Sequence, residues 1–397
     1  MKTISTENIR ILANNAVGWY SDTLFTRQAA AKALRFHKGL PSYQPTELKS
    51  LSEAARKYNV GAILVKDESA RFGLNAFKGL GGSYAVFRSL CERLGLDDST
   101  AVFEDFQNAD IRKKCGEIEF VTATDGNHGK GVAWAASLFG CRSHVFMPKG
   151  SVEARRQAIE EAGASSAVIT GMNYDETVAF AAGLAAEKGW ILVQDTAWEG
   201  YEETPRHIVE GYLTMAEEIC DQTGGKAPTH IFLQAGVGAM AGGIAGYFLN
   251  RFRDAPPYIA IVEPGTVACV YLSAETADGK SHSIGGNPVT IMAGLNCGTP
   301  CSVTWPVLRD GVSFYCACDD CVAEQGMQSY AHPLPGDPAI ISGESGAVTY
   351  GLLLRILRDD RLRERLKINE HSVILLISTE GDTDPEGYRR VVSLSSP

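Results

Sequence analysis

The sequence predicts an α/β protein with two open, twisted, mainly parallel sheets flanked by helices, and three observations carry that prediction. From Glu119 onward, short β-rich runs alternate with helical ones, which is the pattern of βαβ units. A second set of such runs starts at Thr229. The chain has 397 residues, enough for two domains, and shows neither a low-complexity linker nor a short repeat. The expected division is a large domain from residues 1–79 and 210–397 and a small α/β domain from residues 80–209, with the active site in the cleft between them.

Each element rests on its own signal. The first forty residues read as helix and loop. Pro45-Thr46-Glu47 starts a helix with Leu48, Leu51, Ala55 and Tyr58 on one face, closed by Gly61. A strand over Ala62 to Val65 leads into the stretch Arg71 to Ser83, and a helix follows over Tyr84 to Leu94. Residues 97–117 are polar and irregular. Strands are expected at 120–122, 144–147, 167–169 and 191–193, and helices at 131–139, 152–162, 174–188 and 204–223. The second set is a strand at 230–233, a helix at 241–252 and a strand at 258–262. A loop-rich section then runs from 263 to about 337. Helix 346–358 and strand 373–377 complete the chain.

Composition excludes several classes of function. The net charge is −10 with no basic stripe, so nucleic acid is not an expected partner. No apolar run is long enough to span a bilayer, and the polar start Met1 to Glu7 is unlike a signal peptide. Ten dispersed cysteines then suggest reduced thiols in a cytoplasmic protein. Cys316, Cys318 and Cys321, with Cys301 upstream, do not follow a standard zinc spacing and have no His among them, so no metal is expected.

Four loops have the composition of ligand sites, each at the carboxyl end of an expected strand, where open parallel sheets bind ligands. The first holds Lys78 in Asn75-Ala76-Phe77-Lys78-Gly79-Leu80-Gly81-Gly82. Glycine admits close backbone approach. A helix start carries free N–H groups and partial positive charge, so an ammonium there releases its proton more readily. A Schiff-base lysine needs that property, although a solvated lysine at a helix start has the same local sequence. Glycine rather than Ser or Thr follows the lysine, which excludes a Walker A loop.

The second loop is Thr122-Ala123-Thr124-Asp125-Gly126-Asn127-His128-Gly129. It suits a carboxylate or phenolate, or else a helix cap made by Thr124 or Asp125. The third, Gln234 to Gly243, offers the successive N–H groups of Gly236, Val237, Gly238, Ala239 and Met240 as a phosphate cradle. It also fits a loose dinucleotide pattern with Glu263 after the next strand. The fourth is Ser378-Thr379-Glu380-Gly381-Asp382, whose hydroxyls suit a heterocyclic nitrogen or serve a turn.

Taken together, Leu64 to Glu68, the Asn-Ala-Phe-Lys-Gly lysine, the Gly-Asn-His loop, the glycine loop and the terminal Ser-Thr-Glu-Gly-Asp loop resemble the fold-type II pyridoxal-phosphate enzymes, over nearly the whole chain. The longer motifs Asn75 to Lys78, Ala123 to Gly129 and Gln194 to Tyr201 resemble the diaminopropionate ammonia-lyase family within that group. The resemblance implies pyridoxal 5'-phosphate as cofactor, held by the large domain. Lys78 would be its Schiff-base lysine, with Asn127 on the ring oxygen and the amides of Gly236 to Gly243 on the phosphate. Ser378 or Thr379 would face the pyridine nitrogen. Residues Thr290 to Asn296, including Ala293, would line the cleft with Glu344 to Gly346, and a homodimer is common in the group.

Asp125 adds a physical argument. Dehydratases of the group carry a small or hydroxyl residue there, and a carboxylate repels the substrate's own carboxylate. It makes sense if the substrate bears a second ammonium, as 2,3-diaminopropionate does, or if Asp125 moves a proton. Thr124, Asp125 and Asp195 are therefore expected to bind the substrate. Asp125, assisted by Asp195, is expected to act as base on the face away from Lys78, giving turnover of both isomers. Three rivals remain: a serine or threonine dehydratase, a nicotinamide oxidoreductase using the Gly236 loop and Glu263, and a binding protein without turnover.

Overall fold

The computed structural model describes residues 3–14, 22–286 and 288–393. In chain order the strands are β1 (Thr3–Thr6), β2 (Ile9–Ala13), β3 (Leu48–Ser50), β4 (Ala62–Asp67), β5 (Glu119–Ala123), β6 (Arg142–Met147), β7 (Ser166–Ile169), β8 (Ile191–Leu192), β9 (His230–Gln234), β10 (Tyr258–Pro264), β11 (Phe314–Cys318) and β12 (Val373–Ser378). The chain divides into two compact units. One comprises Met1–Thr26, Pro45–Ala70 and Glu218–Pro397, and the other Arg27–Gln44 and Arg71–Glu217. The chain therefore passes between units at 26/27, 44/45, 70/71 and 217/218, where the sequence expectation has two passages, after 79 and after 209.

The first unit holds an eight-stranded sheet in the order β1-β2-β11-β10-β9-β12-β4-β3. Its centre, β11 to β4, is parallel, and β1, β2 and β3 are antiparallel additions at the two edges. The central strands are mostly apolar and almost wholly buried, as expected of parallel strands covered on both faces. Among the buried polar groups at these strands is a charged pair. Lys66 of β4 is fully buried, and its Nζ donates to the Thr46 carbonyl at 2.7 Å and pairs with Glu218 at 2.7 Å. Removing one partner from such a pair costs about 3–5 kcal/mol.

Three expectations are corrected here. The first forty residues contain two strands, because β2 finds an antiparallel partner in β11; residues 15–21 of that stretch lie outside the described residues. The helix expected from Pro45 begins only at Ser52. Leu48 to Ser50 pair with β4 instead, and the Asp337 carboxylate accepts the Glu53 and Ala54 amides to fix the later start. The section after 263 contains β11 and the helices Cys269–Thr276, Trp305–Gly311 and Asp320–Ala331. The run Phe-Tyr-Cys-Ala-Cys of β11 is buried on both faces, so it has no alternation to reveal it.

The second unit holds a four-stranded parallel sheet, β7-β6-β5-β8. Helix Gly79–Leu94 starts directly after Lys78 and packs closely on helix Asn127–Phe139 through glycines. A Cβ on Gly131 would lie 3.0 Å from the Lys78 carbonyl carbon and oxygen, and one on Gly82 would lie 3.0 Å from the Gly131 carbonyl carbon. Beneath them, buried His37 bridges the Leu80 carbonyl at 3.1 Å and the Thr214 hydroxyl at 2.7 Å.

Because the Gly131 neighbours are backbone atoms, Gly131→Ala must shift the Lys78 main chain rather than a rotamer. A loss of roughly 1–3 kcal/mol in urea unfolding is expected, together with reduced turnover; unchanged stability would contradict the close contact.

Candidate active site

In the second unit, the ends of β5 and β8 bring the sequence-predicted carboxylates to the lysine. Lys78 is the residue before helix Gly79–Leu94, and its Nζ pairs with Asp195 Oδ2. The ammonium thus meets a carboxylate, and not the helix start alone as the sequence suggests. Asp195 is buried. Burial by itself would raise its carboxyl, but the charge of His128, whenever that imidazole is protonated, and the Lys78 ammonium that donates to it outweigh that and hold it well below the usual carboxylate range.

His128 is also buried, and burial holds its imidazole below the usual range, so it is neutral at pH 7. Its Nε2 lies 2.8 Å from the Val193 carbonyl, which only accepts, so this nitrogen carries the proton. The bare Nδ1 faces Asp195 Oδ2 at 3.9 Å.

The motif Gln194 to Tyr201 gains a structural meaning. Gln194 Oε1 accepts the Ala123 amide at 3.0 Å, tying the end of β5 to the residue before Asp195. The Tyr201 hydroxyl accepts the Gln194 amide at 2.8 Å and donates to the Leu192 carbonyl at 2.9 Å. The segment that leads into Asp195 is therefore held by both the side chain and the amide of Gln194.

At the start of helix Asn127–Phe139, the two readings of the loop separate. Thr124 Oγ1 accepts the amides of Gly126 at 2.9 Å and Gly129 at 3.0 Å and is buried, so Thr124 is the helix cap. Both bonds engage the lone pairs of that oxygen and leave its proton uncommitted. Asp125 is left over from capping. Its residue is partly accessible while its carboxyl sits deep in the loop, and burial pushes it up to about 7. Asp195 reinforces the rise, and Arg155 and Lys78 oppose it. Asn127 is the first residue of the helix.

In the first unit, β9 and β12 are parallel neighbours and end side by side. Gln234 Nε2 donates to the Ile377 carbonyl at 2.9 Å and to Thr379 Oγ1 at 3.0 Å. Ser378 Oγ donates to Ser342 Oγ at 2.8 Å. The loop after β9 then enters helix Ala239–Arg251 through Gly238 at φ +85°. Among the described residues, the amides of Gly236, Val237, Gly238, Ala239 and Met240 donate to no protein acceptor. Five unsatisfied donors at a helix start suit a phosphate dianion.

The cradle also requires its glycine. A Cβ on Gly236 would meet Leu295 Cα at 3.1 Å and the Gly294 carbonyl at 3.3 Å, in the short turn that begins at Ala293. Beside it, Gln234 Oε1 and Ser345 Oγ are buried without a partner. These donors and orphaned polar atoms fit pyridoxal 5'-phosphate, with Gly236 to Met240 at the phosphate and Ser378 or Thr379 at the ring nitrogen.

Glu263, which the dinucleotide reading needs on a ribose, is buried and accepts the amides of Val270 at 2.8 Å and Tyr271 at 2.7 Å. It caps a helix. Among the described residues no group of three or more His, Cys, Asp or Glu is placed to hold a metal, and no helix is long and apolar enough to cross a membrane. Ser342, Gln234 and His128 belong to the site neighbourhood without having been assigned a role from sequence. Only the Gly-Asn-His motif marked His128, and Ser342 carries no local signal.

The family description "Pyridoxal-phosphate dependent enzyme" matches residues 40–380. A diaminopropionate ammonia-lyase from Salmonella typhimurium is 46% identical over 377 residues, covering 93% of each chain. Two crystal structures of the Escherichia coli diaminopropionate ammonia-lyase are similar over 97% of this chain and 96% of theirs. One, in complex with D-serine, has a TM-score of 0.90 at 45% identity. The other, with an aminoacrylate-PLP azomethine reaction intermediate, has a TM-score of 0.89 at 44% identity. With the lysine, the carboxylates and the free amides in place, this chain belongs to the pyridoxal-phosphate-dependent enzymes and, within them, to the diaminopropionate ammonia-lyase family.

Proposed function

We propose that the protein catalyses α,β-elimination of 2,3-diaminopropionate, in both D and L forms, to pyruvate and ammonia. The observation that supports this most directly is Asp125, a carboxylate released from capping and set beside Lys78 and Asp195. Two carboxylates near one ammonium favour a substrate that brings a second ammonium. Loss of the α-proton and the β-amine leaves 2-aminoacrylate, whose hydrolysis gives pyruvate and a second ammonia. Pyridoxal 5'-phosphate, when bound, supplies an aldehyde that links to amines and a ring that draws electrons from the α-carbon.

The residues of this chain do the rest. Lys78 offers the amine for the aldehyde and moves the α-proton of one isomer. Asp195 stays ionised through the working range and holds the Lys78 ammonium between steps, so its partner is the lysine rather than Asp125. Asp125, when ionised, takes the α-proton of the other isomer. The Gly236 to Met240 amides bind phosphate, and Asn127 serves the ring oxygen. Thr379 is better bonded than Ser378 to donate to the ring nitrogen: its oxygen accepts from Gln234 and its proton is uncommitted, whereas the Ser378 proton goes to Ser342. A hydroxyl at that nitrogen leaves it uncharged and favours expulsion of a β-substituent. A homodimer in the cytoplasm is part of the same reading.

A coupled pyruvate assay tests the substrate: 2,3-diaminopropionate should turn over far faster than serine or threonine, and equal rates would return the chain to the dehydratases. Lys78→Ala should lose the visible absorbance of the lysine-bound cofactor and lower turnover by roughly 10²–10⁴-fold; an unchanged spectrum excludes the assignment. Asp125→Asn should lower turnover of one isomer by about 10²-fold or more and spare the other. In the wild type, that isomer's rate should rise as pH passes through about 7, because the base must lose its proton. Equal losses for both isomers, or identical acid limbs, would reject the two-base scheme.

A further inference from the structure

The short segment that leads into Lys78 carries backbone strain. Phe72 has φ +53° and Asn75 φ +59°, with Gly73 between them at φ +72°. Left-handed backbone suits glycine and is tolerated by asparagine, but for a bulky side chain it is an outlier. Among the described residues, Phe72 is the one aromatic residue that adopts it. Strained residues persist where their surroundings over-determine them, and here one helix supplies those surroundings. Lys130 and Trp134 stand one turn apart on helix Asn127–Phe139. Lys130 Nζ donates to the Leu74 carbonyl at 3.0 Å, and the Trp134 ring stacks on Phe72 with centroids 4.6 Å apart at 26°. Between them in the chain, Gly131 lies against the Lys78 carbonyl. Burial and the helix start both work against an ammonium at residue 130, with Glu161 in partial compensation.

We propose that Lys130 and Trp134 are positioning residues for Lys78, which hold the turn from Phe72 to Asn75 in its left-handed form and thereby set where the Lys78 amine stands. The proposal rests on the reading of Lys78 as the Schiff-base lysine. The mechanical link is short. A Cβ on Gly79 would meet Leu74 Cδ1 at 2.8 Å and Phe72 Cδ2 at 3.0 Å, so both side chains of the turn bear on the residue directly after Lys78. Ala76 and Phe77, which join the turn to the lysine, are both buried. A turn that relaxed toward right-handed backbone would move Phe72 and Leu74 off Gly79 and redirect the chain as it enters helix Gly79–Leu94. The bond to Asp195 orients the tip of the lysine, and the turn fixes its root. An amine that attacks a bound aldehyde needs both, because a small displacement of a reacting group slows the step steeply.

The experiment compares wild-type holoenzyme with Lys130→Met, Lys130→Arg and Trp134→Leu in two measurements. The first is amide hydrogen exchange of residues 72–78. The second is the rate at which the lysine-bound absorbance returns when alanine, which has no β-leaving group, is diluted from the holoenzyme. Lys130→Met should speed the exchange and slow the return, each by about tenfold. Lys130→Arg, which keeps a donor for the Leu74 carbonyl, should restore most of both. Trp134→Leu should change both in the same direction as Lys130→Met, and it carries the test alone if Lys130→Met does not fold. Unchanged exchange, or faster exchange with a wild-type return, overturns the proposal, because the contacts are then structural only. Exchange that rises equally across β5 to β8 overturns it too, as general loosening. A visible band that persists in Lys78→Ala removes the lysine reading and this proposal with it. A band lost there but returning at the wild-type rate in Lys130→Met and Trp134→Leu overturns this proposal alone.

Discussion

The candidate site of the second unit is organised around one exchange of charge, the half-buried Lys78 ammonium against the buried Asp195 carboxylate. Asp195 in particular needs a partner, because an unpaired ion in a buried position costs several kcal/mol. The pair resolves that cost and at the same time holds an amine in place by its hydrogen bond. The backbone around it follows. Helix Gly79–Leu94 begins at the lysine, glycines bring helix Asn127–Phe139 against the Lys78 carbonyl, and Gln194 and Tyr201 fix the strand end that presents the carboxylate.

The first unit follows a complementary rule, in which polar groups are deliberately left unanswered. A folded chain satisfies nearly all its buried amides, yet five successive N–H groups from Gly236 to Met240 go without a protein acceptor. The parallel sheet makes this possible by ending β9 and β12 together, with Gln234 bracing the two ends. Glu263 shows the contrast within the same sheet. A carboxylate after the next strand is fully used on two amides and has nothing to offer a ligand.

What could be read from the chain followed from locality. Lys78, Asp125 and the glycine loop announced themselves because each function is carried by consecutive residues. Most of the βαβ alternation was legible for the same reason, since strand and helix periods differ within a few residues. β11 escaped because a doubly buried strand has no alternation, and Leu48 to Ser50 because pairing with β4 overrode a local helical period. The pairing of Asp195 with Lys78 joins residues 117 positions apart, and Ser342 reaches Ser378 across 36. No neighbouring residue in the chain encodes either contact. Thr124 marks a further limit of the sequence: a hydroxyl before a helix looks the same whether it caps, binds or does both.

That cap frees the position next to it. Because Thr124 accepts the Gly126 and Gly129 amides, the side chain of residue 125 is not needed to hold those two donors. A single side chain, hydroxyl or carboxylate, can then change what this scaffold accepts while those two bonds stay in place. Diversification of leaving group within such a lineage then becomes a matter of one codon, with the architecture carried along unchanged.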